Sequence, residues 1–107
     1  MNDKEYTIKE YKGKIKDKDG KKDKFEIVGF KDKDIKITID KDGKGSKTFK
    51  AKVKKIDDKG EVSKTEDELD ITVEYEKGTF VDYGKIKKVG NDEVQPANVG
   101  FAGNSFR

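Results

Sequence analysis

Apolar residues alternate with polar ones in three stretches of the chain, at residues 35–39, 49–53 and 69–75. A period of two places every second side chain on the same face of an extended strand. Most of the apolar residues in these stretches are β-branched or aromatic, and such side chains pack well on a pleated sheet. The pattern therefore predicts three β-strands, each with one apolar face and one polar face.

Three further stretches are predicted to be bent strands. Glycine within a strand pattern often marks a bulge, and bent strands allow a sheet to curl onto itself. Tight hairpins are indicated by the Asp-Gly pairs that end at Gly20 and Gly43. The apolar positions of the bent stretches change parity partway along: residues 6–15 near positions 9–10, residues 25–30 at Gly29, and residues 81–86 at Gly84.

Together these elements predict an all-β fold, a six-stranded antiparallel meander curled into a small barrel or sandwich with an ordered C-terminal segment. The 107 residues are enough for one domain. No stretch has the 3.6-residue period of an amphipathic helix. Ser63 followed by Glu66 matches a capping box, which predicts one helical turn at most before the next strand.

The amino-acid composition changes sharply between Val89 and Gly90. Residues 3–89 use only twelve amino-acid types, whereas the last 18 residues contain none of the 25 lysines. We therefore divide the chain into a body, residues 1–89, and a C-terminal docking segment, residues 90–107. The short alphabet of the body is typical of deliberately simplified β proteins. A designed origin and a natural origin with unusual residue usage both stay open.

Composition also excludes several kinds of chemistry. The chain has no His and no Cys, which excludes disulfide scaffolds, zinc sites built on these residues and nucleophile–histidine mechanisms. The acidic loop from Asp17 fails the EF-hand pattern, because Lys21 and Val28 occupy the fifth and twelfth positions. Glu74 and Glu76 are predicted to face outward as cross-strand partners. We expect no enzyme activity, no cofactor and no metal.

No apolar run is long enough for a membrane span or for the core of a signal peptide. We therefore expect no membrane partner and, by default, a cytoplasmic location.

The docking segment carries apolar residues that would be in contact with water if it were a free linker. We expect it to dock on its own body or on a neighbouring molecule. In the favoured version, Phe101 and Phe106 plug an open end of the barrel or cover a sheet edge of the same chain. In the other version, the segment is donated to a second copy and builds a homo-oligomer. The predicted docking residues are Val94, Val99, Phe101 and Phe106.

The function that these patterns favour is a non-catalytic structural or protein-binding β scaffold, whose partner is another protein or a second copy of the chain. The net charge is +7 over residues 1–60 and −4 over residues 61–107, which weakly favours head-to-tail contact.

The alternative is a module that binds single-stranded nucleic acid. A basic face on a small barrel resembles an oligonucleotide-binding barrel. Interleaved acids and the lack of Arg in the body make nucleic acid the less favoured partner. The lysine face of this alternative consists of Lys50, Lys52, Lys54 and Lys55.

Overall fold

Nine β-strands make up the regular structure of residues 3–102, the part of the chain that the computed structural model describes. This part contains no helix, and therefore no helix that could cross a membrane. At the predicted helical turn, the Ser63 hydroxyl oxygen instead accepts a hydrogen bond from the Thr65 amide at 3.1 Å. The strands are β1 (Lys4–Ile8), β2 (Gly13–Lys16), β3 (Asp23–Phe30), β4 (Lys36–Ile39), β5 (Ser46–Lys55), β6 (Asp67–Glu76), β7 (Tyr83–Val89), β8 (Asp92–Val99) and β9 (Phe101–Ala102).

Six of the strands form one antiparallel sheet in the order β2-β3-β5-β6-β7-β8. This sheet curls until its two edge strands approach each other, and an isolated bridge joins Asp17 to Val94. The other three strands form a small second sheet in the order β4-β1-β9. The prediction of an all-β fold with an antiparallel meander that is nearly closed into a barrel is confirmed.

The strands of the small sheet follow or precede strands of the large one along the chain. β1 precedes β2, β4 follows β3 after residues 31–35, and β9 follows β8 after Gly100. β1 pairs with both β4 and β9, so the first and last stretches of the meander meet again beyond the Asp17–Val94 bridge. The nearly closed barrel thus has two contacts along its seam, one in each sheet.

Two predicted strands differ from the observed ones. The stretch at residues 6–15 is divided into β1 and β2, because residues 9–12 leave the ladder. At the break, the Glu10 carboxylate accepts a hydrogen bond from the Phe30 amide at 3.1 Å. The stretch at residues 81–86 begins later than predicted, since β7 starts at Tyr83. The predicted bend at Gly29 coincides with a register shift between β3 and β5.

Side chains fill the interior of the barrel, as expected for so small a sheet. The alternating positions of the long strands point inward, and Val53, Ile71, Val73 and Ile86 are 0% exposed. Burying each such side chain stabilises the fold by roughly 1.5–3 kcal/mol. Within residues 3–102, no polar or charged residue is buried in this core. Polar groups that could do chemistry or bind a partner are therefore on the surface or at the ends of the barrel.

Candidate functional site

The loop between β6 and β7 carries two exposed large hydrophobic side chains. Phe80 is 91% exposed and Val81 is 56% exposed. Single exposed apolar residues are ordinary on protein surfaces, whereas adjacent ones at a loop tip form a small apolar patch. We call residues 77–82 the Phe80 loop.

The Phe80 loop has a tight turn at one end and a tether at the other. A Cβ atom at Gly78 would collide with the carbonyl oxygen of Val81, so this turn requires glycine. The Asp82 carboxylate accepts a hydrogen bond from the Tyr6 hydroxyl at 3.4 Å. The loop is therefore attached to β1 while its tip faces solvent.

Three aromatic rings form a stack, and the ring of Tyr6 is one of them. The Phe101 ring lies 4.7 Å from the Tyr6 ring, centroid to centroid, with an angle of 1° between their planes. The Tyr75 ring lies 6.5 Å from the Phe101 ring at an angle of 5°. Parallel rings at these distances attract each other beyond the effect of area burial alone. The stack connects β9 to β1 and β6, and its Tyr6 ring carries the hydroxyl that bonds Asp82.

The environment of the stack raises the pKa of both tyrosine hydroxyls. Burial is the largest cause for Tyr75, and the hydrogen bond and negative charge of Asp82 add to it, raising its pKa to about 12. Burial followed by the charge of Asp82 also raises the pKa of Tyr6. Both hydroxyls are therefore protonated at neutral pH, and that of Tyr6 donates to Asp82.

Asp82→Asn is expected to lower the pKa of Tyr75 towards its ordinary value of 10.0, because the variant removes the negative charge beside the hydroxyl. In the wild type, the raised pKa leaves stability unaffected below pH 10.0 and decreases it as the pH rises from there to about 12. A titration of tyrosinate absorbance checks both statements, with Tyr75→Phe identifying the signal of that residue. An unchanged Tyr75 titration in Asp82→Asn would contradict the placement of the Asp82 charge beside Tyr75.

The predicted docking residues lie at three kinds of position. Val94 and Val99 belong to β8 and are each 4% exposed, so they form part of the barrel core. Phe101 belongs to β9 and is half-buried against Tyr6 of the same chain. Phe106 lies outside the described residues. Residues 90–102 thus contribute one strand to the large sheet and one to the small sheet.

Acidic residues of the neighbouring strands lie opposite the lysine face. Lys50 lies opposite Asp70 in the register of β5 and β6, and its Nζ atom is 3.0 Å from the Asp70 carboxylate. The remaining cross-strand neighbours are Glu68 for Lys52, Glu26 for Lys54 and Phe25 for Lys55. Carboxylates therefore lie directly across from three of the four lysines, and they oppose the binding of phosphate groups.

We expect no salt-dependent binding of a single-stranded oligonucleotide to the chain, because the neighbouring acids offset the positive charge of the lysine face. Fluorescence anisotropy of a labelled oligothymidine at low salt checks this expectation. Binding at low salt that disappears in the triple variant Lys50→Glu/Lys52→Glu/Lys54→Glu would support the nucleic-acid alternative instead.

The acidic turns use their carboxylates for local hydrogen bonds. Asp17 accepts one from the Lys21 amide, which is the largest cause of its lowered pKa. Asp40 accepts bonds from the amides of Asp42 and Lys44 at 2.9 Å each. Such bonds are typical of Asp in turns. In the described part of the chain, no three Asp or Glu residues are grouped so that they could hold a metal ion.

The Phe80 loop and the lysine face thus lie on the surface, whereas Tyr6 of the aromatic stack is only 5% exposed. Comparison with protein-family models, with curated proteins and with solved structures finds no match for the chain.

Proposed function

We propose that the chain is a non-catalytic, protein-binding β scaffold whose binding element is the Phe80 loop. The observation that carries the proposal is the 91% exposure of Phe80 at the tip of this loop. Aromatic side chains that become buried on association supply much of the binding energy at protein interfaces. Loops held by a rigid scaffold are the usual place for such residues.

The tether at Asp82 supports a binding role because it fixes the loop before any partner arrives. A hydrogen bond from Tyr6 connects Asp82 to the barrel, and Phe80 lies only two residues away. A loop that is already ordered loses less conformational freedom on association than a mobile one. More of the apolar burial at Phe80 and Val81 then contributes to affinity.

The chemistry of the same cluster supports the non-catalytic part of the proposal. The hydroxyls of Tyr6 and Tyr75 have raised pKa values, so neither supplies a phenolate nucleophile or base at neutral pH. The chain also has no His or Cys to activate another group.

A photoreactive phenylalanine analogue at position 80 tests the proposal. We expect it to form an adduct with one defined protein species, whereas the same analogue in place of the exposed Lys41 forms none. The captured protein, once purified, is expected to bind the wild-type chain at least about tenfold more tightly than the Phe80→Ser variant. Equal adducts at the two positions, or equal affinities for wild type and Phe80→Ser, would overturn the proposal.

A further inference from the structure

The wall of the barrel is least paired where its two edge strands, β2 and β8, approach each other. Neighbouring strands of the large sheet pair along ladders of four to eight residues. Within residues 3–102, the edges of β2 and β8 are joined instead at the isolated bridge between Asp17 and Val94. We call the contact between residues 13–24 and residues 92–96 the β2–β8 seam.

Two ion pairs connect the two sides of the β2–β8 seam. The Lys18 Nζ atom lies 2.9 Å from the Glu93 carboxylate, and its hydrogen bond is the largest cause of the lowered pKa of Glu93. The Lys24 Nζ atom lies 3.3 Å from the Asp92 carboxylate. In both pairs the acid belongs to β8 and the lysine lies in β3 or in the turn before it. All four side chains are 42–71% exposed, so dissolved salt screens both attractions.

Buried apolar side chains line the seam. Ile15 of β2 and Val94 of β8 are 2% and 4% exposed. Separation of the two strands would expose both side chains and free two strand edges, and every ladder of the large sheet would remain intact. The contact between β1 and β9 does not depend on these charges, because there the Phe101 ring stacks on Tyr6.

We propose that the β2–β8 seam is an ionic latch, at which the barrel opens locally when salt screens its two ion pairs. The β1–β9 contact stays closed because stacked rings hold it. Each exposed pair contributes little by itself, so the latch shifts the population of the open form severalfold and does not unfold the barrel. Unpaired strand edges accept strands from other chains, so ionic strength sets how often this chain presents them. The inference goes beyond the proposed function and does not involve the Phe80 loop.

Alkylation of a single buried cysteine measures the opening, because the wild-type chain has no cysteine. Ile15→Cys and Val94→Cys place the thiol on either side of the seam, and Val73→Cys places it in β6, which pairs with a strand on each side. Iodoacetamide is uncharged, and each rate is divided by that of an unstructured cysteine peptide in the same buffer. Raising the salt concentration from about 0.01 M to about 1 M shortens the screening length from roughly 30 Å to roughly 3 Å. We expect this change to accelerate both seam thiols about fivefold and the Val73→Cys thiol less than about twofold.

Charge variants of the Ile15→Cys protein identify the ion pair as the cause. Glu93→Gln removes one pair of the seam and is expected to accelerate alkylation about threefold at low salt. Glu68→Gln is the matched control, since it removes a pair of the same 2.9 Å length, between Lys31 and Glu68 of β6. The control is expected to leave the alkylation rate unchanged.

Equal rates for the seam thiols and the Val73→Cys thiol at every salt concentration would overturn the proposal, since the seam would then open only with the whole fold. Seam rates that do not respond to salt, or that respond equally to Glu93→Gln and Glu68→Gln, would overturn it as well. If one seam variant does not fold, the other decides the result, because the two thiols report the same opening from opposite sides.

Discussion

Replacing Phe101 with alanine is expected to lower the free energy of unfolding by roughly 3 kcal/mol, near the lower end of the range for phenylalanine truncation because this ring is only half-buried. The ring stacks on Tyr6 at 4.7 Å and covers the backbone of Gly84. Its loss exposes that backbone and removes the contact that joins β9 to the barrel. Equilibrium unfolding in denaturant measures the change.

Phe80→Ala is the matched control for this prediction, since it makes the same substitution at a side chain that is 91% exposed. We expect it to change the free energy of unfolding by no more than about 0.5 kcal/mol. Similar losses at the two positions would contradict the docking of Phe101 on its own barrel and the exposure of Phe80.

Replacing Gly84 with alanine is expected to destabilise the fold by about 2 kcal/mol through overpacking. A Cβ atom at this position would lie 2.7 Å from the Val73 side chain and 2.8 Å from that of Val99. Both valines are buried, so neither can move aside freely. Alanine also lowers the conformational entropy of the unfolded chain relative to glycine, which stabilises the fold by only about 0.4–1 kcal/mol. Overpacking therefore dominates, and denaturant unfolding is expected to show a net loss.

Gly100→Ala serves as the control, because a Cβ atom there meets only the Lys9 side chain at 3.4 Å. This variant is expected to be neutral or slightly stabilising. In the double variant Gly84→Ala/Val99→Ala, the smaller residue 99 makes room for the new methyl group. We expect the two changes to cost less together than the sum of the single losses. Full additivity would show that the contact with Val99 does not contribute to the loss.

The long strands were predictable because alternation of apolar residues is a local property of the sequence. Residues 35–39, 49–53 and 69–75 fall on or beside β4, β5 and β6, with their apolar side chains directed inward. A change of parity, in contrast, does not show whether a strand bulges within one sheet or passes into another, because the sequence pattern is the same in both cases. The division at residues 9–12 depends on a contact between distant segments, in which Glu10 bonds to the Phe30 amide.

The candidate site was less predictable, because its features depend on tertiary contacts. Val81 and Tyr83 continue the alternation of a strand, yet the turn at Gly78 and the tether at Asp82 hold Val81 outside β7. The signal for this loop that the sequence did contain was the pair of adjacent apolar residues, Phe80 and Val81, next to a turn. The acids opposite the lysine face were visible only once the register was known, as for Lys50 and Asp70.

The central claim is that β9 pairs with β1 of the same chain, so that the proposed partner contact is assigned to Phe80 and not to Phe101. A double variant, Thr7→Cys/Ala102→Cys, tests this claim directly, because these residues are cross-strand neighbours in β1 and β9 and the wild type has no cysteine. Opposite residues of an antiparallel pair lie about 4.5–5.5 Å apart at their Cα atoms, within the range that a disulfide spans. After oxidation at low concentration, non-reducing electrophoresis and mass measurement are expected to show a monomer with one internal disulfide. A covalent dimer, or two thiols that remain free, would contradict the claim.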